Sequence, residues 1–332
     1  MATSPLLTDL LEQVSRSFYK TMRILPPAIR PQISLAYLLA RTTDTIADTQ
    51  IVPVDKRLQA LRAFRERLSG KNSQPLNFGE LAKNQGSPGE RVLLERNEEA
   101  LALLNEFSPE DQQRIREVLS TILSGQELDL IRFSHAAESR ILTLQTEGEL
   151  DGYTYRVAGC VGEFWTKMCR THLFPTAPLN DNLLIQNSVR FGKGLQLVNI
   201  LRDLPSDLRQ GRCYIPREKL VAASLKPEDL LDPANISRFR PVYDALLNQA
   251  HSNLRAGWDY TNALPQKQMR VRIACALPIL IGVRTLQQLR KENVLEPSRR
   301  IKIGRGEVRS IFFGLFWKHY FPARWNAQFP HS

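Results

Sequence analysis

Apolar residues recur at every third or fourth position along most of this chain, a spacing that is typical of amphipathic helices. Helices are predicted at residues 6–22, 33–48, 55–68, 90–106, 109–125, 126–140, 147–168, 183–202, 237–260 and 267–290. Residues 69–89 are rich in Gly, Asn, Ser, Gln and Pro and predict a loop. There is almost no strand pattern, repeat or linker, so we expect a single all-α domain over residues 1–332, with poorly ordered ends at 1–5 and 325–332.

The helix predicted at 33–48 is apolar nearly all round, which indicates a buried position at the centre of the bundle. It nevertheless ends in charged residues, Arg41, Asp44 and Asp48. Burying a charge is unfavourable unless the charge is paired or bound to a metal. We therefore expect these three residues to line a polar cavity, with Tyr37 two turns before Asp44 on the same side.

A second polar cluster occupies one face of the helix predicted at 183–202 and of the residues that follow it. Its members recur every three or four positions and are Gln196, Asn199, Arg202, Asp203 and Asp207. Two aspartates four residues apart often occur by chance on a solvated face. An entire face of amides, a guanidinium and carboxylates beside apolar neighbours favours a binding site. Pro205 lies between the two aspartates and predicts a kink.

The two aspartate pairs point to the same chemistry. On a helix, residues i and i+4 lie one turn apart, so each pair presents two carboxylates to one point in space. A hard divalent cation removes their repulsion, and Mg²⁺ is held by one or two carboxylates together with the phosphate oxygens of a substrate. Two such pairs that face each other across a bundle predict a site that ionises a diphosphate.

The segment 147–168 carries Gly159 and Gly162 inside a predicted helix, where each costs about 1 kcal/mol relative to Ala. Close helix packing explains them, and so does a long apolar ligand that lies along the helix. One face of this helix carries Tyr153, Val157, Val161 and Phe164. Core packing remains the alternative for the three apolar residues, whereas the Tyr153 hydroxyl needs a polar partner.

The composition narrows the range of partners. The net charge of +11 and the 42% of hydrophobic residues are compatible with an anionic membrane, small anions or nucleic acid. Nucleic acid is disfavoured, because no binding motif or long basic run is present. The cysteines (Cys160, Cys169, Cys213 and Cys275) lack metal-site spacing and are expected to be reduced and buried. No signal peptide stands out, so we expect a cytoplasmic protein, with a peripheral position on the inner face of a membrane as an alternative.

Two further segments leave alternatives open. Residues 311–321 mix aromatic residues with flanking bases, as interfacial membrane segments do, but a helix docked on the core would explain them equally well. Near the start of the chain, Arg16 lies within one turn of Phe18, which places a charge beside an apolar surface. A solvated surface arginine is the more common explanation for such a residue.

At these residues the chain resembles the squalene/phytoene synthase family, prenyltransferases that join two prenyl diphosphates head to head. The resemblance rests on segments 15–18, 37–48, 153–162 and 196–216 in this order. Segments 44–48, 275–278 and 301–306 resemble those of squalene synthases, and the chain as a whole is most similar to a bacterial one. The fold that the resemblance implies is an isoprenoid-synthase-type helical bundle with a central cavity.

The resemblance also implies roles for individual residues. Mg²⁺, with Mn²⁺ as an alternative, would be held by Asp44, Asp48, Asp203 and Asp207. The two farnesyl diphosphates would be held by Arg16, Arg41, Gln196, Asn199, Arg202 and Arg212. Tyr153 would assist proton removal or steady a carbocation. The hydrocarbon channel would be lined by Phe18, Tyr37, Val157, Val161 and Phe164. NADPH phosphates would contact Lys302 and Arg305. Ser206 departs from the family, which often carries an acidic residue there.

The expected activity is thus the Mg²⁺-dependent condensation of two farnesyl diphosphates through presqualene diphosphate, followed by NADPH-dependent reduction to squalene. The alternative within the family stops at presqualene diphosphate, or makes dehydrosqualene or phytoene without a reductive step. No dinucleotide-binding glycine motif follows a strand, so the residues do not independently indicate NADPH. An alternative of another class is a non-catalytic basic helical protein that sits on membranes.

Overall fold

The computed structural model describes residues 5–15, 18–296 and 301–330. It is almost entirely helical, which confirms the all-α class. The helices are α1 (Asp9–Ser15), α2 (Phe18–Arg23), α3 (Arg30–Asp48), α4 (Val54–Leu68), α5 (Gly79–Lys83), α6 (Pro88–Glu95), α7 (Asn97–Leu103), α8 (Pro109–Arg132), α9 (Glu147–Thr154), α10 (Cys160–His172), α11 (Asp181–Arg209), α12 (Arg217–Ala222), α13 (Ile236–Ala263), α14 (Met269–Leu289), α15 (Arg305–Lys318) and α16 (Pro322–Asn326). A π-helical turn, Tyr155–Gly159, joins α9 to α10. Within the described residues, strands are limited to β1 (Leu142–Thr143) and β2 (Arg212–Cys213), which pair in parallel.

The chain divides into two compact units. The first consists of Met1–Ser134 and Lys167–Pro175, and the second of His135–Thr166 and Thr176–Ser332. None of the described helices combines the length and the apolar character that crossing a bilayer requires.

In the first unit, α3 packs against α4, α6, α7 and α8. Its central position was expected from its apolar surface, and its residues Leu35, Leu38, Leu39 and Ile46 are fully buried. The buried threonines of α3 bond to their own helix, as when Thr42 Oγ1 donates to the Leu38 carbonyl at 3.0 Å. The helix begins three residues earlier than predicted, because Pro31 is tolerated in a first turn.

In the second unit, α11 packs against α13 and α14. Glycines allow the close approach, since a Cβ at Gly257 of α13 would lie 2.8 Å from the ring of Phe191 on α11. All four cysteines are buried thiols outside any disulfide, as predicted. Burial raises the pKa of Cys160, Cys213 and Cys275 to about 12, so these thiols stay protonated.

Several predicted boundaries were wrong. The helices predicted at 109–125 and 126–140 are a single helix that ends at Arg132, because Gly125 is buried in the packed helix instead of breaking it. The helix predicted at 90–106 is two helices, α6 and α7, and the loop predicted at 69–89 contains α5. The helix predicted at 6–22 is represented by α1 and α2.

The C-terminal segment also differs from expectation. Residues 325–330 pack on the second unit, with Trp325 and Phe329 each only 2% exposed. The indole of Trp325 stacks on that of Trp258, with ring centroids 5.3 Å apart. Two large buried aromatic side chains supply enough apolar surface to hold this short segment in place. The sequence pattern alone did not indicate that these two side chains would be buried.

Candidate functional site

The first acidic pair occupies the last two turns of α3. Asp44 is half-buried and Asp48 is exposed. Gln126 of α8 donates a hydrogen bond of 2.5 Å from Nε2 to Oδ1 of Asp44. Burial, and to a lesser extent the charge of Asp48, raises the pKa of Asp44 to about 6, while Arg41 and Gln126 act in the opposite direction. Burial and the nearby Asp48 charge make the ionised form of Asp44 unfavourable, and a bound cation would stabilise that form.

Arg41 lies on α3 one turn before Asp44, and its guanidinium forms an ion pair with Glu90 of α6. Both side chains are about one-fifth exposed. Tyr37, one turn further back, is half-buried and close enough to affect the electrostatics of Arg41. These side chains lie close together along α3, but Arg41 already has an acidic partner that the sequence did not reveal, and the predicted polar cavity stays a prediction.

Sequence reasoning missed Gln126 and Glu90. Glu90 is the third residue of α6, a position where an acidic residue normally indicates helix capping. Gln126 belongs to a long amphipathic helix with no chemical signature. The structure does not describe the side chains of two predicted site residues. Arg16 lies outside the described residues, and for Phe18 only the backbone at the start of α2 is described.

The second acidic pair lies on α11. The predicted division of this helix is confirmed, because Leu197, Val198, Leu201, Leu204 and Leu208 are buried whereas the polar face is half-buried or exposed. That face carries Gln196, Asn199, Arg202, Asp203 and Asp207.

Arg202 donates two hydrogen bonds to its neighbour Asp203, one from Nε at 2.9 Å and one from Nη2 at 2.5 Å. The hydrogen bond to Asp203 raises the pKa of Arg202, and the charge of Asp207 acts in the same direction. The guanidinium and the two carboxylates make this a site of mixed charge, in which Arg202 orients Asp203 and a bound cation would neutralise the acids.

Pro205 does not end the helix, and the reason lies on α13. A proline nitrogen has no hydrogen to donate to the carbonyl of Leu201, four residues earlier. The Tyr243 hydroxyl donates to that carbonyl oxygen instead, at 3.0 Å. Burial raises the pKa of Tyr243, so this hydroxyl remains a donor. As a result α11 continues to Arg209, and Asp203 and Asp207 lie one turn apart on one helix.

Arg212 is positioned by the short parallel pair that follows α11. It lies opposite Leu142 in the register of β1 and β2 and is half-buried. Gly211, just before it, has φ +74°, and a Cβ there would lie 2.3 Å from the Ala137 nitrogen. Only glycine fits this tight turn, which fixes the direction in which the chain leaves α11.

Tyr153 lies near the end of α9, and its ring stacks on Tyr214 with centroids 4.9 Å apart. The four residues predicted to share one face do not follow a strict 3.6-residue period, because the π-helical turn adds a residue between Tyr153 and Val161. Phe164 is buried, Val157 is half-buried, and Val161 is 40% exposed. Single π-helical turns are often found at functional sites.

The two glycines of this segment serve helix packing. A Cβ at Gly162 would lie 2.0 Å from the Ser188 carbonyl oxygen of α11. At Gly159 it would lie 3.3 Å from side-chain atoms of Val189 and Lys193. Of the two explanations that the sequence left open, close packing accounts for both positions.

Lys302 and Arg305 are both exposed, and Arg305 is the first residue of α15. The first backbone N–H groups of a helix have no partner within the helix and favour an anion. Two cations at such a position suit a phosphate group.

Within the described parts of the chain, no group of three or more His, Cys, Asp or Glu side chains is placed to hold a metal. Each aspartate pair thus supplies two oxygen ligand groups at most. This donor set fits Mg²⁺, which takes one or two carboxylates and completes its shell with water and phosphate oxygens.

A family model for squalene/phytoene synthases matches residues 11–307. Squalene synthase ERG9 of Saccharomyces cerevisiae is 28% identical over 307 residues, which are 91% of this chain and 66% of that protein. Squalene synthase of Cyberlindnera jadinii is 27% identical over 303 residues, or 91% and 65% of the two chains. This chain therefore spans about 65% of the length of these curated relatives. Both come from yeasts, whereas the motifs had suggested a bacterial relative.

Solved structures agree on the fold. The complex of TcSQS with the ligand E5700 has a TM-score of 0.76 at 22% identity and covers 97% of this chain and 91% of that chain. Squalene synthase HpnC from Alicyclobacillus acidocaldarius has a TM-score of 0.61 at 20% identity, covering 87% and 93%. At these identities the likeness shows a shared helical fold.

Proposed function

Because the chain belongs to the squalene/phytoene synthase family, we propose that it is a prenyltransferase that condenses two molecules of farnesyl diphosphate head to head and reduces the product to squalene. The observation that carries the proposal is the pair of Asp-x-x-x-Asp turns on α3 and α11, inside a stretch that the family model matches. Each turn presents two carboxylates one helical turn apart, and each has a guanidinium on the same helix.

In this proposal Mg²⁺ would be held by the four aspartates, Asp44, Asp48, Asp203 and Asp207. When bound, the metal supplies Lewis-acid stabilisation to the leaving diphosphate. The chain's own contribution is to position the carboxylates, through Gln126 for Asp44 and Arg202 for Asp203. The polar side chains Gln196, Asn199 and Arg212 bind the diphosphates by hydrogen bonds and charge.

Tyr153 steadies the positive charge that develops on the allylic carbons, or accepts the proton that leaves when the cyclopropane of presqualene diphosphate closes. Its stacking on Tyr214 fixes the plane of the ring. An aromatic face stabilises a cation without attacking it as a nucleophile. Val157 and the buried Phe164 provide apolar surface for the prenyl chains and exclude water, which would trap the cation.

NADPH supplies the hydride of the final reduction when it is bound. Lys302 and Arg305 contact its phosphates in this proposal, since both are exposed cations at the start of α15. The alternative is a product formed without reduction, which would be presqualene diphosphate, dehydrosqualene or phytoene.

The experiment that tests the proposal is incubation of the purified protein with farnesyl diphosphate and Mg²⁺, with and without NADPH, followed by mass spectrometry. We expect squalene only in the presence of NADPH. A thirty-carbon product that forms equally with and without NADPH would contradict the proposed reductive step. A parallel reaction with geranylgeranyl diphosphate identifies the accepted chain length. The absence of any condensation product from either substrate would contradict the proposed prenyltransferase activity.

We further propose that the protein works in the cytoplasm and meets the inner face of a membrane peripherally. Squalene is a hydrocarbon with no polar group, so its transfer from an enzyme into water is strongly unfavourable. A protein that delivers it benefits from contact with a lipid phase.

A further inference from the structure

Helix α15 has apolar side chains on two opposite sides. One side packs on α14, where Leu315 is fully buried. The other side, which we call the aromatic face, consists of Phe313, Trp317, Tyr320 and Phe321, whose exposed fractions are 69%, 66%, 67% and 42%. The spacing of these residues places them along one side of a helix and its C-terminal end. Four large exposed aromatic side chains so close together are typical of an interaction surface.

The exposure of this face does not result from an undocked segment. The neighbouring residues on the inner side are fixed to the second unit: His319 Nε2 lies 3.1 Å from the Gln266 carbonyl oxygen, and Trp325 Nε1 donates to Asn262 Oδ1 at 2.7 Å. The guanidinium of Arg272 also lies over the Trp325 ring, 5.2 Å from its centroid. The segment is thus anchored by its inner side while it presents its outer aromatic residues to solvent.

The exposed rings are in contact with further aromatic residues. Phe312 packs edge-on against Phe313 and Phe316, with centroid distances of 5.7 and 5.1 Å. Trp317 and Phe321 are 5.9 Å apart. The rings thus form two clusters, 312/313/316 and 317/321, and clustered exposed rings are more typical of an interaction site than scattered ones are.

Charge identifies the kind of partner. Residues 301–330 contain five basic residues and one acidic residue: Lys302, Arg305, Arg309, Lys318, Arg324 and Glu307. Arg324 stands at the edge of the aromatic face, with its guanidinium 5.2 Å from the centroid of Phe321. Trp and Tyr rings are common at the headgroup level of membranes, and basic side chains beside them are attracted to anionic lipids. A second copy of this chain is a poorer match, because it would bring two basic surfaces together.

We propose that the aromatic face inserts into the interfacial region of an anionic membrane, with α15 parallel to the bilayer plane. Its 14 residues extend over about 21 Å, less than the hydrocarbon thickness of about 30 Å, so the helix lies on the membrane. Phe313, Trp317 and Phe321 enter the acyl boundary, and Arg309, Lys318 and Arg324 meet lipid phosphates. This inference deepens the peripheral contact proposed above by assigning its surface and its lipid charge, and it does not depend on catalysis.

The test uses the full chain without substrate. Sedimentation with vesicles of phosphatidylcholine alone is compared with vesicles of equal phosphatidylcholine and phosphatidylglycerol. The variant Phe313→Ser/Trp317→Ser/Phe321→Ser is compared with the control Ile51→Ser/Leu183→Ser/Val221→Ser, which removes exposed apolar side chains elsewhere. We expect binding of the parent to anionic vesicles, a loss of at least about tenfold in the aromatic variant, and little change in the control.

A second variant, Arg309→Gln/Lys318→Gln/Arg324→Gln, should lose most of the preference for anionic vesicles, and it carries the test if the serine variant does not fold by circular dichroism. Equal binding of the parent and both variants would overturn the proposal, and so would equal binding of the parent to both kinds of vesicle. A parent dimer that the serine variant converts to monomers in light scattering would show self-association in its place. Turnover of farnesyl diphosphate in detergent is measured separately, so a protein that binds vesicles but forms no product rejects only the proposed function.

Discussion

The side-chain amide of Gln126 donates a 2.5 Å hydrogen bond to the carboxylate of Asp44, and it does so from a different helix. Such a bond fixes the orientation of a carboxylate before a metal arrives and favours its ionised form. Gln126 therefore acts as a positioning residue for the first acidic pair. Its role depends on how α8 packs against α3, which no local pattern in the sequence expresses.

Replacement of Gln126 by Ala should weaken Mg²⁺ binding. Without the hydrogen bond the pKa of Asp44 rises and the carboxylate is free to rotate, so the Mg²⁺ concentration for half-maximal turnover should increase about tenfold. Thermal stabilisation by Mg²⁺ with inorganic diphosphate should decrease in parallel. Gln113→Ala, an exposed glutamine of the same helix, is the matched control and should change neither quantity. Equal losses in both variants would assign the effect to α8 as a whole.

The pKa of Asp44 predicts a pH dependence of stability. Because the folded-state pKa is raised from 3.8 to about 6, the folded protein binds this proton more tightly than the unfolded chain does. The contribution of Asp44 to the free energy of unfolding is therefore greatest below about pH 4 and decreases as the pH rises to about 6. The decrease should be about 2 kcal/mol, after allowance for solvent screening of a half-buried group.

Urea unfolding of the metal-free protein between about pH 4 and pH 7 measures this effect. Asp44→Asn should remove the slope. Asp48→Asn should move it to lower pH, because the charge of Asp48 contributes to the raised pKa of Asp44. An identical slope in the parent and in Asp44→Asn would contradict the assignment.

Tyr243→Phe should destabilise the protein by about 1–3 kcal/mol, since it leaves the buried Leu201 carbonyl without a donor. The cost of losing the Tyr243 hydroxyl should depend on Pro205, which cannot donate a hydrogen bond to the Leu201 carbonyl. In a Pro205→Ala background the helix regains an N–H group for that carbonyl, and the same Tyr243 change should cost less than about 1 kcal/mol. The double-mutant cycle is measured by urea denaturation. Equal costs in both backgrounds would show that Tyr243 contributes only by packing.

Gly162→Ala should be strongly destabilising, by about 3 kcal/mol or more, because the new methyl group would collide with the α11 backbone at Ser188. Gly152→Ala is a matched control in α9, where a Cβ meets no atom within 4 Å. That change should stabilise the helix by about 0.5–1 kcal/mol. Thermal unfolding distinguishes the two. A stable Gly162→Ala protein would favour the apolar ligand as the reason for glycine at this position.

The sequence predicted what depends on helical periodicity. The polar face of α11 was identified because its residues recur every three or four positions, and the buried α3 was identified because it is apolar nearly all round. Partners on distant helices could not be predicted, as with Glu90 for Arg41 and Tyr243 for the Leu201 carbonyl. The π-helical turn also escaped prediction, because a local apolar period does not distinguish it from an α-helical turn. The boundary near Gly125 failed because tertiary packing outweighs the propensity of one glycine.

The role of the four aspartates is tested most directly by squalene formation in conservative variants. Mass spectrometry of product from farnesyl diphosphate, Mg²⁺ and NADPH is compared among the parent, Asp44→Asn and Asp203→Asn, with the exposed Asp259→Asn of α13 as control. We expect squalene from the parent and the control, and a loss of at least about a hundredfold in each of the other two variants with their thermal stability retained. Full squalene formation by Asp44→Asn and Asp203→Asn would contradict the account.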